Sequence, residues 1–228
     1  MNLDEGPLTK DDVEKVVNRY TDRFKEHGYS EEALGWGRKG RQQLRFEILA
    51  SQWDLKEKKI LDLGAGFGDL YGFLKNYDIA SYRGVELTPA LCEEGQRRNK
   101  KDANFELILG DCSDKKLYGE PDYVFISGLF NFRLLNGKNY EFIEMVLSNA
   151  VAVATRGVAC NFITDRVDYK EELIFNANPE EILKLAFKLS KNISLRADYM
   201  PFEYSLFISK MDSFSPDSAI FDSYVRKL

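Results

Sequence analysis

The 228-residue chain holds one histidine and three cysteines. Cys92, Cys112 and Cys160 show no metal-binding spacing, so no metal is expected, and their sparse use fits a reducing compartment. No apolar run approaches the ~18 residues a membrane helix needs. Met1-Asn2-Leu3-Asp4-Glu5 has no signal-peptide character. A cytoplasmic protein without membrane association is therefore expected. With a net charge of −5 and scattered basic residues, the chain lacks the basic stripe of a nucleic-acid binder. Arg97-Arg98-Asn99-Lys100-Lys101 is the exception. It falls at a predicted helix end, where cations complement the dipole, and a phosphate site is its other reading. There is no internal repeat and no low-complexity segment. The apolar content of 44% suffices for one α/β domain with a sizeable core.

What stands out is Ile60-Leu61-Asp62-Leu63-Gly64-Ala65-Gly66-Phe67-Gly68-Asp69-Leu70. An apolar strand enters a turn with glycine at three alternate positions, and a helix follows. Such a turn lets a ligand approach bare backbone. A dinucleotide fingerprint wants glycine at the first, third and sixth positions, with pyrophosphate on the helix N-terminus. Counting from Gly64, the sixth position is Asp69. Asp62 and Asp69 both repel a diphosphate, which weakens the reading as an NAD-dependent oxidoreductase. A cationic ligand reverses the argument, because Asp62 can receive an ammonium.

Later strand ends repeat the theme. Ser81 to Leu87 reads as a strand with Glu86 at its carboxyl end, 22 residues after Gly64, where a carboxylate can accept from ribose hydroxyls. Thr88-Pro89 opens a helix to about Arg98. Ile108 to Cys112 is a third strand ending in Asp111, which faces an adenine amine or caps the next helix. Tyr123 to Ile126 is a fourth, ending in Ser127-Gly128.

Around this unit, residues 8–27 read as a helix capped by Thr9 and stopped by Gly28, and residues 28–40 as a glycine-punctuated loop. Arg41 to about Gln52 reads as a second helix. Helical spacing recurs over 139–154, Gly157 to Ile163 reads as the fifth strand, and Asn178-Pro179 opens a helix to about Lys188. Ile193 to Tyr199 and Tyr204 to Ser209 are joined by too few residues for a parallel crossover, so they must pair antiparallel. The serine-rich tail after Asp212 is expected to dock loosely or to serve a partner chain.

From about Ile60 to Lys210 the chain resembles class I S-adenosylmethionine-dependent methyltransferases. Asp62-x-Gly64-x-Gly66-x-Gly68 resembles the first motif, Glu86 the ribose-binding acid, Asp111-Cys112 the adenine-side pair, and Pro121 to Ser127 the fourth motif. His27-Gly28-Tyr29-Ser30, Ala33-Leu34-Gly35-Trp36-Gly37, Gln43 to Leu49 and Asp198 to Tyr204 resemble a bacterial and archaeal subgroup with an N-terminal GWG-type segment. The resemblance implies a Rossmann-like, doubly wound seven-stranded sheet, mostly parallel with an antiparallel last strand, plus N-terminal helices. It implies a helical cover over 1–52, an S-adenosylmethionine-binding domain over 53–212 and a tail over 213–228. The cofactor set it implies is Asp62, Gly64, Ala65, Gly66, Glu86, Leu87, Asp111, Cys112 and Ser127.

Methyl transfer from a sulfonium needs mainly orientation and a dry, charge-matched site. His27 is a candidate base, or simply a helix C-terminal residue favoured by the dipole. Tyr29 and Trp36 are candidates for the cover over an acceptor, Tyr20 for a contact to the cofactor's carboxylate, and each has a packing alternative. Arg38, Arg41 and Arg45 share one helical face, which is either anion-binding or solvated. In Leu129-Phe130-Asn131-Phe132-Arg133, Phe130 is expected to wall the transfer path, Asn131 to orient the acceptor and Arg133 to bind an anion. Asp168, Tyr169 and Phe175 are secondary candidates on the loop from Thr164 to Asn176. The expected activity is methyl transfer to a small polar metabolite, such as a sugar, nucleotide-sugar or other anionic acceptor, by a monomer or homodimer. The alternatives are a protein or RNA methyltransferase, or a non-catalytic cofactor-binding partner protein.

Overall fold

The computed structural model describes residues 6–37, 40–210, 213–217 and 219–225. Arg38, the first member of the cationic set, lies outside the described residues. Seven strands form one sheet: β1 (Lys59–Leu63), β2 (Ser81–Glu86), β3 (Phe105–Leu109), β4 (Tyr123–Ile126), β5 (Gly157–Ile163), β6 (Asn192–Arg196) and β7 (Glu203–Ser209). Their order is β3-β2-β1-β4-β5-β7-β6. Every pairing is parallel except those of β7, which runs antiparallel to both β5 and β6. The fold class is as the resemblance implies.

Tyr123, Val124, Phe125 and Ile126 are all buried, as expected for a central parallel strand covered on both faces. Successive residues point to opposite faces, and the core divides accordingly. On one face Leu61, Leu63, Val124 and Ile126 pack with α5 (Asn139–Val153) and α6 (Pro179–Leu189). On the other, Ile60, Tyr123 and Phe125 pack with α2 (Arg41–Ala50) and α3 (Asp69–Leu74). The β1/β4 junction, where the strand order reverses, is the place where open sheets of this kind bind ligands.

Helix α1 (Lys10–His27) lies across the carboxyl edge of the strands and is fastened at both ends. At its start Thr9 and Asp12 form a capping box. Asp12, fully buried, also accepts from the Leu135 N–H at 2.7 Å, tying the helix to the loop after β4. At its end Phe24 packs on Phe67 with ring centroids 5.3 Å apart. Just beyond, Tyr29 donates to Asp69 at 2.6 Å, and Arg98 of α4 (Pro89–Asn99) lies 3.5 Å over the Tyr29 ring. In the tail, β8 (Phe214–Ser215) pairs antiparallel with β9 (Ile220–Phe221), and the short α7 (Asp222–Val225) follows. Among the described residues no helix is long and apolar enough to cross a membrane.

Candidate active site

A cavity of about 180 Å³ lies between α1, the 34–36 segment and α2 on one side and the carboxyl ends of β1, β2, β4 and β5 on the other. The glycine turn forms part of its floor. Gly64 and Gly68 both have φ of +76°, which a β-carbon disfavours. A β-carbon on Gly68 would also come within 2.8 Å of the Phe105 ring. Gly64 and Gly66 line the cavity and bring bare backbone to it.

Acids gather at this turn. Asp62 is buried and accepts from the Tyr82 hydroxyl at 2.7 Å. Burial lifts its carboxyl from 3.8 to about 7, and the nearby Glu86 and Asp69 charges push the same way. Glu86 accepts from Gly66 N–H at 2.8 Å and Thr88 N–H at 2.7 Å. These two donors lock it across the mouth of the turn, while burial pushes its own carboxyl upward. Asp111 lines the cavity and accepts from Ser113 N–H at 2.7 Å, so it serves its own loop as well as facing the space. Gly64, Ala65, Gly66, Leu87, Cys112 and Ser127 also line the cavity. Burial raises the Cys112 thiol well above its usual range, and its Sγ lies 3.8 Å from the Val85 carbonyl, to which it donates. The buried Ser127 hydroxyl has no hydrogen-bond partner. All nine residues of the expected cofactor set thus meet in one cavity. Arg19 and Tyr20 of α1 join them.

The expected acceptor residues divide. Trp36 lines the cavity, with its ring so close over Gly128 that a β-carbon there would overlap it. Asn131 lines it too, and its side-chain oxygen accepts from Ile163 N–H at 3.2 Å, clamping the β4 loop to β5. The other six do not line it. His27 is exposed at the end of α1, beside Glu26 at 3.7 Å, which is the helix-terminal placement. Tyr29 faces an outer groove with Arg97 and Arg98 and is engaged in the α1 fastening. Arg41 is exposed, whereas Arg45, one turn on, points inward, so these two do not share the expected face. Phe130 is core, 5.3 Å from Phe162 in a stacked pair. Arg133 spends its guanidinium on the carbonyls of Glu172 and Ile174. Tyr169 is exposed. Of the secondary candidates, Phe175 is buried and Asp168 exposed, and the residues of that loop that line the cavity are Leu173 and Ile174.

One buried constellation escaped sequence reasoning. Arg45 is 4% exposed and makes two hydrogen bonds to Glu203, Nε to Oε2 at 2.7 Å and Nη2 to Oε1. Its Cζ lies 4.5 Å from the Trp36 ring centroid. Both residues occur in stretches that resemble the subgroup, but they are 158 positions apart, and no spacing signal links them. Gln42, which donates to Asp69 at 3.3 Å, and Leu34, against Gly66, complete the roof. Among the described residues no group of histidine, cysteine and acidic side chains is arranged to hold a metal.

No protein-family model matches this sequence, and no curated protein matches it. Solved structures do match. Magnesium protoporphyrin IX methyltransferase (ChlM) from Synechocystis PCC 6803, with bound SAH, superposes with a TM-score of 0.64 at 15% identity, over 86% of this chain and 98% of that one. The pyocyanin biosynthetic protein PhzM gives 0.63 at 13% identity, over 83% of this chain and 61% of that one. An S-adenosylmethionine-dependent methyltransferase from Clostridium acetobutylicum ATCC 824 gives 0.59 at 11% identity, over 84% and 98%. At such identities the likeness establishes architecture: this chain has the fold of the S-adenosylmethionine-dependent methyltransferases.

Proposed function

We propose that this protein transfers a methyl group from S-adenosylmethionine to a small molecule. The observation that carries the reading is the acid-lined glycine turn. Asp62, Glu86 and Asp111 share a cavity with bare backbone at Gly64 and Gly66, a setting that attracts a cation and repels a pyrophosphate. The residues fit the cofactor in kind. Asp62 holds the ammonium, Glu86 accepts from the ribose hydroxyls, and Asp111 accepts from the adenine amine. Arg19 and Tyr20 face the carboxylate, and the unpartnered Ser127 hydroxyl gains a partner. Bound S-adenosylmethionine supplies an activated methyl on a sulfonium.

The chain's own work is to orient and to exclude water. Leu34 and Trp36 roof the cavity and α1 is fastened over it, an enclosure that suits a small acceptor over an RNA strand or a protein side chain. Of the arginines on which an anionic acceptor rested, Arg41 and Arg133 face elsewhere, and Arg45 lines the cavity with its charge balanced by Glu203. The far end of the cavity is lined instead by Phe132, Leu134, Phe142, Ile163, Leu173 and Ile174. The acceptor proposed is therefore a small molecule with an apolar body. No histidine lines the cavity, so the acceptor is one that needs no imidazole base: an amine, a carboxylate or a readily ionised hydroxyl. Calorimetric titration with S-adenosylhomocysteine and, separately, NAD tests the reading. Binding of the first without the second supports it, and the reverse pattern ends it.

A further inference from the structure

Among the described residues, two buried donors beside the cavity have no acceptor. Arg45 Nη1 and Trp36 Nε1 are both shielded from solvent and unpartnered, and both residues line the same space. Buried donors are ordinarily satisfied, and leaving one unpaired is unfavourable. Their positions are over-determined. Glu203 holds the other two nitrogens of Arg45, and Trp36 is pressed between the guanidinium and Gly128. The two donors thus belong to side chains held against each other.

Their place in the fold separates them from the ribose-side and adenine-side acids of the cofactor set. Glu203 begins β7, opposite Ile163 of β5, and Gly128 follows β4. The donor pair therefore sits on the β4–β5–β7 side of the switch point. Glu86 and Asp111 sit on the β2–β3 side. The apolar wall of Phe132, Phe142, Ile163 and Ile174 belongs to the donors' side as well.

Charge narrows what the donors take. The Arg45 cation is already balanced by Glu203. Adding an anion would leave this trio net negative in a buried cavity whose other described charged residues are three acids, Asp62, Glu86 and Asp111, and one cation, Arg19. A neutral oxygen satisfies both donors without that cost. We propose that Arg45 Nη1 and Trp36 Nε1 recognise a neutral carbonyl oxygen on the acceptor, whose apolar body lies against Phe132, Phe142, Ile163 and Ile174. This inference rests on the methyl-transfer reading and names its substrate class.

The test uses full-length protein loaded with S-adenosylhomocysteine and three probes built on one benzene ring: benzamide, benzoate and toluene. Calorimetry reads affinity, and the indole N–H resonance of Trp36, assigned by its loss in Trp36→Phe, reads the contact itself. Benzamide is expected to bind more tightly than benzoate and to shift that resonance. Trp36→Phe keeps an aromatic ring at this place but removes the indole N–H together with the pyrrole half of the side chain. It should weaken benzamide by roughly two- to ten-fold, the worth of one hydrogen bond, and leave toluene and S-adenosylhomocysteine unchanged. Arg45→Lys, which keeps the charge opposite Glu203, should do the same and covers the case in which the tryptophan variant fails to fold. Tighter binding of benzoate overturns the inference. So does an equal loss for toluene, no benzamide binding at millimolar concentration, or a shift of the indole resonance by S-adenosylhomocysteine alone, which would give the donors to the cofactor. If S-adenosylhomocysteine itself does not bind, the methyl-transfer reading fails instead. Benzamide on the unloaded protein then decides the donor pair separately, with loss of binding in Trp36→Phe supporting it and no loss overturning it.

Discussion

Asp62 makes the cofactor reading testable through pH. Its carboxyl is lifted from 3.8 to about 7, chiefly by burial. A carboxyl with that value is about one-tenth ionised at pH 6 and about nine-tenths ionised at pH 8. If an ammonium docks on the ionised form and holds it so, S-adenosylhomocysteine should bind about ten-fold more tightly at pH 8 than at pH 6, or about 1.4 kcal/mol. Binding near pH 7 should also release a proton, visible in calorimetry as a heat that changes with the buffer's ionisation enthalpy. Asp62→Asn keeps the shape and an acceptor for the Tyr82 hydroxyl but loses the charge. It should flatten the pH profile and weaken binding at pH 8 by ~1.5–3 kcal/mol, the worth of a charged hydrogen bond. Any residual slope belongs to Glu86, whose carboxyl burial also lifts. Folding carries the opposite sign. Because the native value lies above the unfolded one, the native state holds the proton more tightly, and stability falls as pH rises from about 4 to about 7. Asp62→Asn should therefore stabilise the unliganded protein above pH 7 while weakening ligand binding. A wild-type affinity flat between pH 6 and 8, or a full slope surviving in Asp62→Asn, would refute the reasoning.

Other perturbations probe the geometry. Gly68→Ala forces a β-carbon onto a residue at φ +76° and against the Phe105 ring at 2.8 Å. A loss of about 1–3 kcal/mol is expected in denaturant unfolding, and a neutral result would contradict the turn as described. Arg45→Met leaves Glu203 buried without its partner and should destabilise the protein by ~3–5 kcal/mol, whereas adding Glu203→Met should recover much of the loss; thermal unfolding of the single and double variants checks both. His27→Ala should leave S-adenosylhomocysteine affinity unaltered, since the side chain is exposed at the end of α1, and should change stability by only a few tenths of a kcal/mol through the lost helix-end charge. A marked loss of ligand affinity would return His27 to the site.

Local chemistry was legible in the residue order. The Thr9 and Asn178 caps, Pro179 at the first helical position, and Gly157 to Ile163 as a strand all stand where short-range rules put them. So does the antiparallel placement of the final strand, because few residues separate it from its neighbour. The acid-and-glycine turn was readable for the same reason: strand, turn and helix are contiguous, and strand-end acids converge wherever parallel strands share an edge.

Partner choice was not legible, because it depends on residues far apart in the chain. Arg133 reads as an anion binder until the carbonyls of Glu172 and Ile174, about 40 positions away, take its guanidinium. Phe130 and Phe132 sit two apart in one loop, yet Phe130 stacks in the core on Phe162 while Phe132 lines the cavity. Arg41 and Arg45 occupy neighbouring turns of α2, but Arg45 lies inward because Glu203 begins the strand beside β5. The order of residues determines backbone preference and which acids end strands. The folded chain decides which polar groups are consumed by one another, and so which, like Arg45 Nη1 and Trp36 Nε1 among the described residues, are left without a partner.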